Sequence, residues 1–191
     1  GGTFMRSNTI DTIGRALYEK DQYSEEHSRG VSVLSQEIAS RMNLSYQQIN
    51  DTRMAGLLHD IGKINIDQSI LNKIEPLEKH EWEEFKKHPE KGFRIMKGVI
   101  ELGEMSYYVL SHHERIDGKG YPQGLSGDEI PLQSRIIAIA DSFDAMTAFR
   151  PYKEMMSIEE GARELLRCRG TQFDSSLASV FVKQVLQLDI E

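Results

Sequence analysis

The sequence predicts an all-α domain whose helices pack around a central polar site. Three observations carry this prediction. Apolar residues recur at three- and four-residue spacing through most of the chain, the period of a helix with one buried face. No stretch of useful length alternates apolar and polar residues as a half-buried strand would. Glycine and proline gather at joints, above all in "RIDGKGYPQGLSGDEIP" (115–131), and not inside the periodic segments.

The elements follow in order. "TIDTIGRALYEKD" (9–21) carries Ile10, Ile13 and Leu17 on one helical face. That stripe suits this domain's own core, a second copy of the chain, or an upstream sensory domain. Ser24 is placed to cap a second helix, with Glu25 and Glu26 in its first turn, and His27, Val31, Leu34 and Ile38 form the inward line. A third helix starts near Ser45 and runs into "LLHDIGK" (57–63), where Gly62 reads as a C-terminal stop. "KINIDQSILNK" (63–73) is a connector with a short turn capped by Asp67. "PLEKHEWEEFKK" (76–87) is an acidic amphipathic helix. Its Trp82 and Phe85 read as core residues, not as a base-stacking platform, and its His80 as solvent-facing.

In "HPEKG" (88–92) the proline is suited to the first helical position, which puts His88 at the N-cap. "ELGEMSYYVLSHHE" (101–114) reads as helix, and "LQSRIIAIADSFDAMTAF" (132–149) as a long buried one. Two last helices start near Ser157 and Asp174.

The 191 residues suit one domain, with 1–8 read as a tag or linker remnant and 9–191 as the domain. A net charge of −7 argues against a broad DNA or RNA footprint, though not against a small anionic ligand in a basic pocket. One cysteine, Cys168, rules out a disulfide framework and a thiolate metal cage, and reads as a packed helix residue. No apolar stretch reaches membrane-spanning length and no signal peptide is visible, so the sequence reads as cytoplasmic.

Histidines mark the element ends: His59 beside Asp60 closes one helix, His112-His113 another, and His88 opens a third. Asp141 lies inside the apolar run "IIAIADSFDAM". Taken singly, each reads as a hydrogen-bonded core residue or a helix cap. As a set they are costly to bury unless paired or bound to metal. His59 and Asp60 are neighbours, and neighbours on a helix point about 100° apart. One ion would prefer histidines four apart; two ions a few Å apart suit His59 on one and Asp60 bridging to the other. Imidazole and carboxylate donors without sulfur suit iron, manganese or another first-row divalent ion. Ala55 and Gly56, one turn earlier, leave room for other helices to approach.

"HDIGK", "HPEKG" and "HHERIDGKGYP", followed in order by "RIIAIADSFDAMT" and "RPYK", are the segments by which the chain resembles a known family. From about Thr9 to Leu188 it resembles the HD-GYP family, the cyclic di-GMP phosphodiesterase branch of the HD phosphohydrolase superfamily. The resemblance implies an HD-domain helical bundle around a metal site. It implies metal ligands at His27, His59, Asp60, His88, His112, His113 and Asp141. Lys63 matches a lysine that contacts the scissile phosphate, and Arg150 and Lys153 match residues that hold the ligand's phosphates. Tyr121 belongs to the naming motif with Gly120 and Pro122; that loop reads as support for His112-His113 and as a pocket wall.

The expected reaction is hydrolysis of cyclic di-GMP to linear pGpG, with a further cut to GMP possible in an open groove. A hydroxide bridging two ions is the nucleophile, with Asp60 and Lys63 as catalytic groups. The rival readings are a silent cyclic di-GMP receptor and an HD-type hydrolase of another cyclic dinucleotide or nucleotide phosphate. Where three-metal members have glutamate, four residues before His27, this chain has Tyr23, which implies two ions; Glu26 lies on another face. Asn65, Asp67 and Ile74 replace a glycine and two prolines common in the connector, which predicts a looser loop. Phe149 stands where aspartate often precedes "RPYK". Asp144, one turn after Asp141, is suited either to supporting a metal ligand or to capping a helix.

Overall fold

The computed structural model describes residues 22–149 and 153–191. Its helices are α1 (Gln22–Ala39), α2 (Tyr46–Leu58), α3 (Gln68–Leu71), α4 (Lys79–Phe85), α5 (His88–Lys97), α6 (Gly103–Leu110), α7 (Leu132–Thr147), α8 (Ile158–Arg167) and α9 (Ser175–Val180). Tight 3-10 turns occupy Ile61–Asn65, Ile100–Leu102 and Gly127–Glu129, and a π-turn at Phe181–Val185 extends α9. Strand-like pairing is limited to isolated bridges such as Asp117 with Ser126. The all-α class is the one the periodicity predicts. The 1–8 remnant, the helix around Ile10–Leu17, the side chain of Tyr23 and Arg150 lie outside the described residues.

Local chemistry sets most helix starts. Ser45 and Gln48 form a reciprocal capping box at α2, and Ser157 with Glu160 does the same at α8. Asp67 and Asp174 accept from the backbone N–H groups of Ser69 and Leu177. Each such cap is worth about 1 kcal/mol.

Several expectations need correction. Ser24 lies within α1 and does not cap it, because the helix already runs at Gln22. His88 is the first helical residue of α5, with Lys87 at the N-cap and Pro89 in the first turn. α2 stops at Leu58, and Gly62 sits in the following 3-10 turn. Gly62 is needed for room: a Cβ there would overlap the His88 carbonyl oxygen and lie 2.5 Å from the Gly92 nitrogen. Asn65 closes that same turn, and its carbonyl accepts a 2.8 Å hydrogen bond from Lys91 Nζ, which ties the connector to α5. Trp82 is 42% exposed, not core.

The core has two lobes that share α7. Ile137 and Ala140 join Val31, Met54, Leu58, Ile61, Met96, Met105 and Val109. Ile136, Ile139 and Phe143 join Ile38, Leu165, Phe173, Leu177 and Phe181. Full burial of one such large apolar side chain contributes about 1.5–3 kcal/mol, so α7 is held on two sides and is a stiff support for Asp141. α2 lies close on α1 at Gly56, where a Cβ would come within 3.1 Å of Ser35 Oγ.

Candidate metal centre

Three histidines are fixed by one local device. The last carbonyls of a helix lack intrahelical partners. His59 Nδ1 lies 2.7 Å from the Gly56 carbonyl oxygen, His88 Nδ1 2.8 Å from that of Phe85, and His112 Nδ1 2.6 Å from that of Val109. Each ring bonds back three residues, into the last turn of α2, α4 or α6. A carbonyl only accepts, so Nδ1 carries the proton and donates. In a neutral ring that leaves Nε2 with its lone pair free. The Nε2 atoms of His59, His88 and His112 are all buried without a hydrogen-bond partner. Such groups cost about 1–3 kcal/mol each when unsatisfied, and an Nδ1–H bonded to a carbonyl is the usual support of an Nε2 metal ligand.

The donors gather in two sets. His27, His59 and Asp141 bring one ligand atom each within 4.8 Å of one another, and so do His88, His112 and His113. Asp60 lies between the sets. Its Oδ2 is 3.2 Å from His59 Nε2 and 3.9 Å from His27 Nε2, while its Oδ1 is 3.5 Å from His88 Nε2. One carboxylate thus turns an oxygen to each side. These seven residues fit a pair of divalent cations: orphaned nitrogen lone pairs face carboxylate oxygens, an arrangement that repels itself unless a cation or proton lies between.

Other groups support this arrangement. His27 is clamped at both nitrogens, with Nε2 2.8 Å from Asp141 Oδ1 and Nδ1 2.6 Å from Asp144 Oδ2. Asp144 therefore holds a site histidine, the first of its two predicted roles. A Cβ at Gly30 would meet the Asp144 carboxylate, so that clamp needs glycine on α1. Lys63 Nζ is 3.1 Å from Asp60 Oδ2. Tyr121 stacks on His113, with ring centroids 5.1 Å apart. Lys153 is exposed beyond the undescribed segment, Glu26 is exposed, and Phe149 is 70% exposed. His80 is exposed, as its charged surroundings predict.

Glu114 escaped the sequence reading. It is buried, and its two carboxylate oxygens accept from the backbone N–H groups of Gln123 (2.7 Å) and Leu125 (2.9 Å). This folds the glycine-rich loop back over the His112-His113 turn. Gly120 lets it close, since a Cβ there would lie 2.5 Å from both Arg115 N and His113 O. A charged residue beside two candidate ligands, just before a loop rich in free N–H groups, was the available signal.

Without metal, the two halves hold protons in opposite ways. Burial works against a charged His59, but Asp60 and Asp141 outweigh it and push its pKa up to about 10. His27 is raised too: burial opposes, and the hydrogen bonds to Asp141 and Asp144 prevail. Burial holds His88 down to about 3 and also lowers His112 and His113. Asp60 and Asp141 stay well below the usual carboxylate range; burial opposes this, and His59 is the main charge that overcomes it.

The stability consequences have definite signs. Below the ordinary histidine value of 6.5, the unfolded chain takes up protons that folded His88, His112 and His113 refuse, so acid destabilises. The contributions of His27 and His59 are present below 6.5 and fade as pH climbs towards 10. The chelated protein is therefore expected to show its highest Tm between about pH 6 and 7, with a fall on both sides. A Tm that stayed flat from about pH 4.5 to 9 would contradict this assignment.

The HD domain family signature matches residues 12–177. The cyclic di-GMP phosphodiesterase response regulator RpfG of Xanthomonas campestris pv. campestris is 35% identical over 185 residues, covering 95% of this chain and 48% of the relative. A 3′3′-cGAMP-specific phosphodiesterase of Vibrio cholerae is 36% identical over 151 residues, covering 79% of this chain and 33% of the relative. This chain thus spans about half or less of the length of these relatives. The solved structure of Bd1817, an HD-GYP-type protein of Bdellovibrio bacteriovorus, superposes with a TM-score of 0.71 at 16% identity, covering 97% of this chain and 65% of that one.

Histidines at helix ends around buried Asp60 and half-buried Asp141 define the class, a helical domain able to hold divalent metal ions. The chain belongs to the HD domain family, whose signature spans most of its length. Among the described residues, no helix is long and apolar enough to cross a membrane.

Proposed function

We propose that this domain is a metal-dependent phosphodiesterase that hydrolyses cyclic di-GMP to linear pGpG, and onward to GMP where the groove admits the linear product. The observation that carries the reading is the Asp60 carboxylate, which turns one oxygen to each of two histidine-containing donor sets. His27, His59 and Asp141 would hold one ion and His88, His112 and His113 the other, with Asp60 shared. An imidazole and carboxylate set without sulfur suits iron or manganese. Such an ion pair supplies Lewis-acid charge for a phosphoryl centre and acidifies water.

The chain's own groups supply the rest. The Lys63 ammonium, 3.1 Å from Asp60, lies at the edge of the cluster, suited to offset charge that builds on phosphate oxygens. Tyr121, stacked on His113, walls the pocket. Arg150 and Lys153 are the proposed holders of the second phosphate. The reaction belongs in the cytoplasm. Control is proposed to come from an additional regulatory domain or a second copy of the chain; a relative of about twice this length is named a response regulator.

A second reading, cleavage of 3′3′-cGAMP, is favoured by the Vibrio cholerae relative of that specificity. Metal-loaded protein incubated with each cyclic dinucleotide, with products separated by chromatography, decides between them. Linear pGpG or GMP is the expected product. Cleavage of 3′3′-cGAMP alone would shift the substrate, and bound but intact cyclic di-GMP would make the domain a receptor.

A further inference from the structure

Trp82 was expected in the core and is instead 42% exposed on α4. Its ring stacks on Phe85, with centroids 5.6 Å apart and planes 14° from parallel. Its edge meets Tyr121 at 6.3 Å. Phe85 packs against His88 at 5.0 Å, Tyr121 stacks on His113, and His88 and His113 are 4.9 Å apart. These contacts close a circuit of five rings, from two imidazoles of the candidate metal centre out to one exposed indole. Two cations border it: Lys63 Nζ lies 5.3 Å from the Phe85 ring centre and Lys86 Nζ 5.7 Å from that of Tyr121.

Phe85 covers one face of the indole and Tyr121 fixes an edge. The ring is thus held in a set plane while its remaining surface stays in water. Tryptophan with one end packed and one end wet is enriched where partners bind. Two ring contacts, of 5.0 and 5.6 Å, lead from His88 to Trp82, so the indole borders the candidate metal centre. We infer that Trp82 is a stacking platform for one nucleobase of the substrate, with Phe85 and Tyr121 as positioning residues that set its plane. This deepens the proposed cyclic-dinucleotide reading and rests on it. Stacking tolerates any base, because every base has a π-face. The platform therefore explains retention of a base, while a choice between guanine and adenine would fall to edge contacts.

Trp82 is the single tryptophan of the chain, so its emission reports on this ring alone. Guanosine 5′-monophosphate has no diester to cleave and gives a steady signal. In metal-loaded protein it is expected to quench the emission saturably, while ribose 5-phosphate, which lacks the base, leaves it unchanged. By calorimetry, Trp82→Ala should bind GMP about tenfold more weakly and ribose 5-phosphate equally well, and Trp82→Phe should recover much of the loss. In cyclic di-GMP turnover, Trp82→Ala should raise KM about tenfold with kcat within about twofold, the mark of binding common to ground and transition states.

Unquenched emission, or unchanged GMP affinity in Trp82→Ala, overturns the platform. So does a variant whose only change is its oligomeric state, which would make the ring a protein contact. The two proposals fail separately. Quenching without cleavage of any cyclic dinucleotide removes the hydrolase reading and keeps the platform; cleavage without quenching does the reverse.

Discussion

Asp60→Ala is expected to reduce cyclic di-GMP hydrolysis by at least about a thousandfold and to lower the metal content of the purified protein. No other described carboxylate turns one oxygen to each histidine set: Oδ2 lies 3.2 Å from His59 Nε2 and Oδ1 3.5 Å from His88 Nε2. Alanine removes both oxygens together. It also leaves Lys63 without the carboxylate 3.1 Å away, so two positive sites would approach with one negative charge fewer between them. Removing a single well-placed electrostatic partner of a transition state costs about a hundredfold to a thousandfold, and here the proposed shared anchor of a metal pair is lost as well. Elemental analysis beside the product assay checks this. If Asp60→Ala kept two ions per chain and most of its turnover, the division of donors into two sets around Asp60 would be wrong.

Gly62→Ala is expected to be the most damaging single-methyl change in the domain. The new Cβ would overlap the His88 carbonyl oxygen and crowd the Gly92 nitrogen at 2.5 Å. Both are backbone atoms at the start of α5, which no rotamer change can move aside. Overpacking of this kind costs about 1–3 kcal/mol where side chains can yield; with backbone in the way, about 3 kcal/mol or more is expected, a fall in Tm of roughly 6–12 °C for a chain of this size. The displaced atoms belong to His88, so metal content should fall with stability. Gly103→Ala is the contrast. A Cβ there meets nothing within 4 Å, and the residue is the first of α6. The same substitution should stabilise by about 0.4–1 kcal/mol through the unfolded chain. Equal and small effects at both positions would show that the α5 contact tolerates movement.

The contrast also shows what could be read in advance. The glycine of "HDIGK" stood out as a helix stop, because that is what a glycine after an apolar helical run most often does. Its actual reason, the passage of α5 across the turn, is a contact with a residue 26 positions away. Trp82 misled in a similar way: its spacing on α4 matches a buried face, and only the placement of Tyr121 and the metal-site histidines shows that this face borders the site. Ser45, Ser157, Asp67 and Asp174 were legible as caps because a cap closes within three residues.

The sequence by itself determined the helical class, most helix starts and the supply of nitrogen and oxygen donors, because periodicity, capping and side-chain chemistry act over a turn or two of chain. Only the tertiary structure decided which donors face one another. His27 and Asp144 are 117 residues apart, and their hydrogen bond exists because α1 and α7 cross at Gly30. The division of the two Asp60 oxygens between opposite histidine sets likewise depends on where α1, α5 and α7 come to rest, which is settled by long-range packing and not by any local preference of the chain.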